Sequence, residues 1–210
     1  MKLKIGLAHI FSSLFHPLWM PMIGFVLAVI HYNYLVANKA TYQGIISILF
    51  VNMIIPLLMI LLMLKFKMIA TIDIKNRKER FVPYLIIIGF YTFSYGLFQY
   101  QNIQISKVLY SYFFAIIVVM ILGLLINIKW KISVHLLAIG GIIGWLFAFS
   151  SLYQIELDYL LIFAILIAGL TASSRLLLDA HTPAQVYSGF VLGFIIQYVI
   201  VSERIFITLF

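Results

Sequence analysis

Long apolar segments follow one another through most of this 210-residue chain. Several are close to the roughly 20 residues that a helix needs to cross a bilayer. Hydrophobic residues make up 65% of the sequence and charged residues 10%, whereas a soluble domain is nearer half apolar and a quarter charged. The runs are continuous, unlike the alternating segments of an outer-membrane barrel. The sequence therefore predicts an all-α fold, a polytopic transmembrane helical bundle that forms a single domain over residues 1–210.

Short polar links divide the apolar sequence into about seven predicted spans, or six if the first is re-entrant. The first is expected at 18–36, after the break at His16 and Pro17. The others are expected at about 43–64, 83–98 and 108–126, from after His135 to about 150, and at about 159–172 and 186–201.

Three polar clusters are predicted to lie on the same side of the membrane. With the N-terminus on side A, the basic stretch 65–82 follows two crossings, the Ser133/His135 loop follows four, and Arg175 and His181 follow six. Ionisable residues beside membrane spans are costly unless they face protein or water, so they mark a candidate functional site. Convergence of three such clusters is stronger evidence than any one of them.

The pattern of these clusters resembles the type 2 phosphatidic acid phosphatase superfamily, and the chain resembles a divergent integral-membrane member of it. That superfamily has a basic Lys/Arg signature, a Pro-Ser-Gly-His signature, and Ser-Arg-x5-His-x3-Asp. The counterparts here are the basic stretch 73–80, Ile132-Ser133-Val134-His135, and Ser174-Arg175 followed by His181 and Gln185.

The resemblance implies a phosphatase that acts on a lipid phosphate or polyprenyl (di)phosphate without a metal or cofactor. Phosphoryl transfer requires fixed cationic donors around the phosphate, and arginine can bind two phosphate oxygens at once. It implies His181 as the nucleophile that forms a phosphohistidine, His135 as the general acid, and Gln185 at the position of the residue that orients the nucleophile. The implied phosphate-binding residues are Arg175, Arg77, Arg80, Ser133, Ser174 and Lys75.

The chain departs from the superfamily pattern in three places. Gln185 replaces the aspartate that would stabilise the imidazolium of His181, and Asp179 is expected on another helix face. The spacing of the basic signature fails, since Asp73 stands seven residues before Arg80. Val134 replaces a glycine that would allow close approach of phosphate.

These departures leave other functions open. One alternative is a catalytically degenerate relative that binds or moves anionic lipids, which the loss of the carboxylate at Gln185 favours. Another is a phosphotransferase that passes the phosphate to an alcohol. The partners expected are the lipid substrate and membrane lipids. The net charge of +8 is not taken to indicate nucleic acid, because the basic residues cluster at the ends of apolar runs. The oligomeric state is not predicted.

Basic residues are distributed unequally between the two predicted sides. Of the 14 Lys and Arg residues, only Lys39, Lys107 and Arg204 fall on side B. The positive-inside rule then predicts that side A, with the candidate site, faces the cytoplasm, here of a bacterial inner membrane. Many bacterial lipid phosphatases of this superfamily face the periplasm, so this prediction runs against the resemblance.

Overall fold

The computed structural model describes residues 2–71, 74, 76–100 and 105–207. Within these ranges the chain is helical, and two single 3-10 turns, Asn33–Leu35 and Arg77–Arg80, precede helices. The α-helices are α1 (Lys2–Leu14), α2 (Met20–His31), α3 (Lys39–Lys65), α4 (Phe81–Tyr100), α5 (Lys107–Lys129), α6 (Val134–Tyr153), α7 (Asp158–Leu177) and α8 (Pro183–Ser202). The predicted all-α bundle is confirmed.

Six helices of the described part, α3 to α8, are long and apolar enough to cross a membrane. Each contains one of the predicted spans from the second onwards, so those predictions are confirmed. Many of their large apolar side chains are exposed, among them Phe93, Phe163 and Leu166. A hydrocarbon environment would cover such faces, as expected of an integral membrane protein.

The first predicted span, 18–36, differs from the prediction because its helix, Met20–His31, has only 12 residues. Pro17 and Pro21 stand at its start, where proline is tolerated, and a separate 3-10 turn, Asn33–Leu35, follows its end. A helix of this length rises about 18 Å, less than the hydrocarbon thickness.

The segment 16–32, which contains α2, nevertheless runs beside α6 from one end of the bundle to the other. Near its start, the ring of His16 lies 5.3 Å from that of His135, the second residue of α6. Just after its end, the ring of Tyr32 lies 4.4 Å from that of Tyr153, the last residue of α6. The segment therefore connects the two ends of the bundle although its helix is short.

Helices α6 and α8 pack with their backbones in direct contact. A Cβ atom added at any of four glycines on these helices would overlap, or nearly overlap, a carbonyl oxygen of the other helix or of the residue that caps it. Small residues permit this close approach between membrane helices. The four are Gly140, Gly144, Gly189 and Gly193. This contact fixes the start of α6 relative to the start of α8, where two of the predicted site histidines lie.

Candidate functional site

One cavity lies at the end of the bundle where α4, α6 and α8 begin and α5 and α7 end. It contains about 1170 Å³ of atom-free space, including its open mouth. Its lining includes two arginines and three histidines, contributed by five different parts of the chain: Arg80, Arg175, His16, His135 and His181. The structure thus brings at least one residue from each of the three predicted polar clusters to one cavity.

The rest of the cavity is mostly apolar. Along α4 it extends from Arg80 to Tyr91, a rise of about 16 Å. Its walls include Ile87, Ile116, Val119, Met120, Leu137, Ala138 and Ile142. None of the described lining residues is acidic. A cationic end joined to an apolar slot is suited to an amphiphile with an anionic head.

Arg80 is held at the cavity by two backbone carbonyls. Its side chain is 6% exposed, and its Nε donates to the carbonyl oxygen of Ile74 at 2.9 Å while Nη1 donates to that of Ile132 at 3.0 Å. These acceptors are uncharged, so the two hydrogen bonds fix the guanidinium without neutralising it. Arg80 therefore lies at the cavity with its guanidinium held in a fixed position.

Arg77 is directed elsewhere, although the sequence predicts it beside Arg80. Its Nη1 donates to the carbonyl oxygens of Asn127, at 3.3 Å, and Ile128, and Nδ2 of Asn127 donates back to the carbonyl of Arg77 at 3.0 Å. The last carbonyls of a helix have no intrahelical partner, and here Arg77 supplies one to α5. It is not among the residues that line the cavity. Lys75, also predicted to bind phosphate, lies outside the described residues.

Arg175, near the end of α7, is only 1% exposed and points into the bundle. Its Nη1 donates to the hydroxyl oxygen of Ser12 at 2.6 Å. The same Ser12 accepts, through its carbonyl oxygen, a hydrogen bond from Nε2 of His135 at 3.1 Å. Helix α1, which packs against α7, thereby connects Arg175 of the third predicted polar cluster with His135 of the second.

His181 lies in the link between α7 and α8, and Gln185 contacts its ring. Oε1 of Gln185 lies 3.0 Å from Nδ1 of His181 and also accepts from the backbone N–H of Thr182 at 3.2 Å. The Thr182 hydroxyl accepts in turn from the backbone N–H of Gln185, which completes a capping box at the start of α8. Gln185 thus caps the helix and orients the histidine at the same time.

Burial, followed by the positive charge of Arg80, lowers the pKa of His181 from 6.5 to about 3. Lys131 and Arg175 act in the same direction, and the hydrogen bond with Gln185 opposes them. The imidazole is consequently neutral at physiological pH. A neutral ring has a nitrogen lone pair, which a nucleophile needs.

The two serines that the sequence predicts as phosphate-binding residues do not line the cavity. The hydroxyl of Ser174 donates to the carbonyl oxygen of Leu170 in its own helix at 2.8 Å. The hydroxyl of Ser133 is buried and has no hydrogen-bond partner among the described residues. Neither serine is in the cavity lining, although Ser133 immediately precedes two residues that are. Asp179 is exposed in a turn with φ of 48°.

Four residues near the cavity received no role, or a different one, from the sequence. Three of them, Ser12, His16 and Lys131, lie outside the residues that the sequence predicts for the site. Nζ of Lys131 donates to the carbonyl oxygen of Ala180 at 2.7 Å, next to His181. The fourth is Tyr84, whose hydroxyl has no partner among the described residues, although the side chain lines the cavity. The polar group Ser12-x3-His16 before Pro17 was the available signal.

No group of three or more His, Cys, Asp or Glu side chains in the described ranges is arranged to hold a metal ion. Comparisons of the chain with protein-family models, with curated proteins and with solved structures find no match. The site must therefore be interpreted from its own geometry.

Proposed function

We propose that this protein is a membrane phosphatase that hydrolyses the phosphomonoester or pyrophosphate of a lipid or polyprenyl phosphate. The observation that carries the proposal is the cavity in which Arg80, Arg175 and His181 meet at the cationic end of an apolar slot. The arginines match a phosphate group in charge and geometry, and the slot matches a hydrocarbon chain.

The proposed chemistry proceeds in two displacements at phosphorus. Because Nδ1 of His181 carries the proton that Gln185 accepts, Nε2 carries the lone pair and attacks phosphorus. The P–O bond to the lipid breaks, and His135 in its doubly protonated form gives a proton to the departing oxygen. Water then gives a proton to the now neutral His135 and attacks the phosphorus of the phosphohistidine. The P–N bond breaks, its electron pair returns to Nε2 of His181, and inorganic phosphate is released with His135 protonated for the next cycle. Arg80 and Arg175 stabilise charge on the phosphoryl oxygens in both steps.

A second candidate function is binding or movement of an anionic lipid without hydrolysis. The contact between Gln185 and His181 favours this alternative because an amide oxygen orients the ring without neutralising an imidazolium. In both cases we place the protein in a bacterial inner membrane with the cavity mouth on the cytoplasmic side. The excess of Lys and Arg on side A supports that orientation.

The test is phosphate release by purified protein in detergent with EDTA present. Phosphatidic acid, lysophosphatidic acid, a polyprenyl phosphate and a polyprenyl diphosphate would be compared. Wild type should release phosphate, and His181→Ala should lower the rate at least about 10³-fold. Wild-type protein that binds these lipids without releasing phosphate would reject the phosphatase and leave the lipid-binding protein.

A further inference from the structure

We propose that Ser12 of helix α1 is a positioning residue for the phosphate site, an inference that rests on the proposed function. Through its hydroxyl and its carbonyl, Ser12 contacts two residues, Arg175 on α7 and His135 on α6. Both line the cavity. A segment outside the three sequence signatures thereby holds residues that belong to two of them.

The hydroxyl of Ser12 sets the direction of the Arg175 guanidinium. Nη1 and the Ser12 oxygen are 2.6 Å apart, a short charge-assisted hydrogen bond, and both side chains are buried. An arginine can bind phosphate through two parallel N–H groups only when its plane is correctly turned. The hydrogen bond restricts that plane before the substrate arrives, which lowers the conformational entropy lost on binding.

The carbonyl of Ser12 sets the proton position on His135. A carbonyl oxygen only accepts hydrogen bonds, so Nε2 of His135 carries a proton when it makes this 3.1 Å contact, the shorter of its two contacts with Ser12; the Ser12 hydroxyl lies 3.4 Å from the same nitrogen. In the neutral ring Nδ1 then has the lone pair, and only the doubly protonated ring can donate from Nδ1. The Ser12 carbonyl therefore keeps a proton on Nε2 of His135 and leaves Nδ1 as the nitrogen that can give or take a proton.

Its neighbour Ser13 provides a matched control. Ser13 is exposed on the same helix, and the hydrogen bond it accepts, from Nε1 of Trp19, goes to its backbone carbonyl. Replacing the Ser13 side chain leaves that bond intact. The two serines share residue type and helix position, but only the hydroxyl of Ser12 contacts Arg175.

The experiment compares wild type, Ser12→Ala, Ser12→Thr and Ser13→Ala in detergent. The measurements are kcat and KM for dioctanoyl phosphatidic acid, the dissociation constant of orthovanadate by calorimetry, and the thermal unfolding midpoint. Ser12→Ala should lower kcat/KM and weaken vanadate binding by about 10-fold to 100-fold, as small misplacements of binding groups do. Ser12→Thr retains the hydroxyl and should recover most of the kcat/KM and most of the vanadate affinity. Ser13→Ala should match wild type. If Ser12→Ala does not fold, Ser12→Cys, with its weaker acceptor, carries the same expectation.

The results separate this inference from the proposed function. If wild type hydrolyses the lipid and Ser12→Ala has the same kcat/KM and vanadate affinity as Ser13→Ala, the positioning role is overturned and the phosphatase proposal is unaffected. Loss in Ser12→Ala without recovery in Ser12→Thr would also overturn it. Vanadate binding that depends on Ser12, in a wild type that hydrolyses nothing, would support the positioning role and reject the phosphatase. Absence of both binding and hydrolysis in wild type would reject both.

Discussion

Oε1 of Gln185 accepts from the backbone N–H of Thr182 and lies 3.0 Å from Nδ1 of His181. Since a backbone N–H requires an acceptor, this atom of the amide must be the oxygen, and Nδ1 of the histidine must carry a proton. The contact thus selects the tautomer that leaves the lone pair on Nε2. It orients His181 as a carboxylate would, but it supplies no negative charge.

We expect Gln185→Glu to increase phosphate release. Glutamate has the length of glutamine, so it can keep both hydrogen bonds, and its charge would stabilise the imidazolium of His181 when the leaving group departs. The expected gain in kcat is about 10- to 100-fold, with a raised His181 pKa by NMR titration. Gln185→Leu should lose activity. A raised pKa without faster release would show that the missing charge does not limit the reaction.

Folding stability should depend on pH through His181. Burial lowers the pKa of His181 to about 3, so in the folded protein the ring stays unprotonated between pH 6.5 and about pH 3. In the unfolded chain the same ring binds a proton below about pH 6.5. Stability should therefore be fully present above pH 6.5 and fall as the pH drops towards 3, by at most about 1.4 kcal/mol per pH unit. Thermal unfolding of wild type and His181→Asn between pH 4 and 8 would measure this. Parallel pH profiles of the two proteins would contradict it.

Arg80 and Arg77 should respond differently to replacement by lysine. Arg80 lines the cavity, so Arg80→Lys should raise KM by at least about 10-fold through loss of the planar fork. Arg77 donates to the final carbonyls of α5, so Arg77→Lys should lower stability by about 1 kcal/mol and leave KM unchanged. Kinetics and thermal unfolding of both variants provide the comparison. A larger rise in KM for Arg77→Lys than for Arg80→Lys would show that Arg77, and not Arg80, binds the phosphate.

The sequence predicts the six long spans, α3 to α8, because the length of an apolar run is read directly from the local sequence. It predicts the clustering of polar residues at one bundle end because each crossing of the membrane reverses the direction of the chain. It does not separate Arg77 from Arg80, since that depends on which carbonyls the 3-10 turn brings within reach. The polar residues before Pro17 do not indicate which residue Ser12 contacts, because its contact with Arg175 depends on the packing of α1 against α7, more than 160 residues away in sequence. The short length of α2 also escaped prediction, because its apolar sequence continues beyond the helix.

The close contact of α6 and α8 gives a prediction that tests how the fold supports the site. A Cβ at Gly193 would overlap the carbonyl oxygen of Leu137 and lie 2.9 Å from the backbone nitrogen of Gly141, so the helices would have to separate. Gly193→Ala should lower stability by about 1–3 kcal/mol, as overpacking does.

The matched control is Gly169→Ala on α7, where an added Cβ meets nothing within 4 Å. It should raise stability by up to about 1 kcal/mol through the higher helix propensity of alanine. Because His135 lies in the first turn of α6 and His181 precedes α8, Gly193→Ala should also lower kcat, whereas Gly169→Ala should not. Thermal unfolding and phosphate release of both variants would check this. Equal stability of the two variants would show that the α6–α8 contact is looser than the structure indicates.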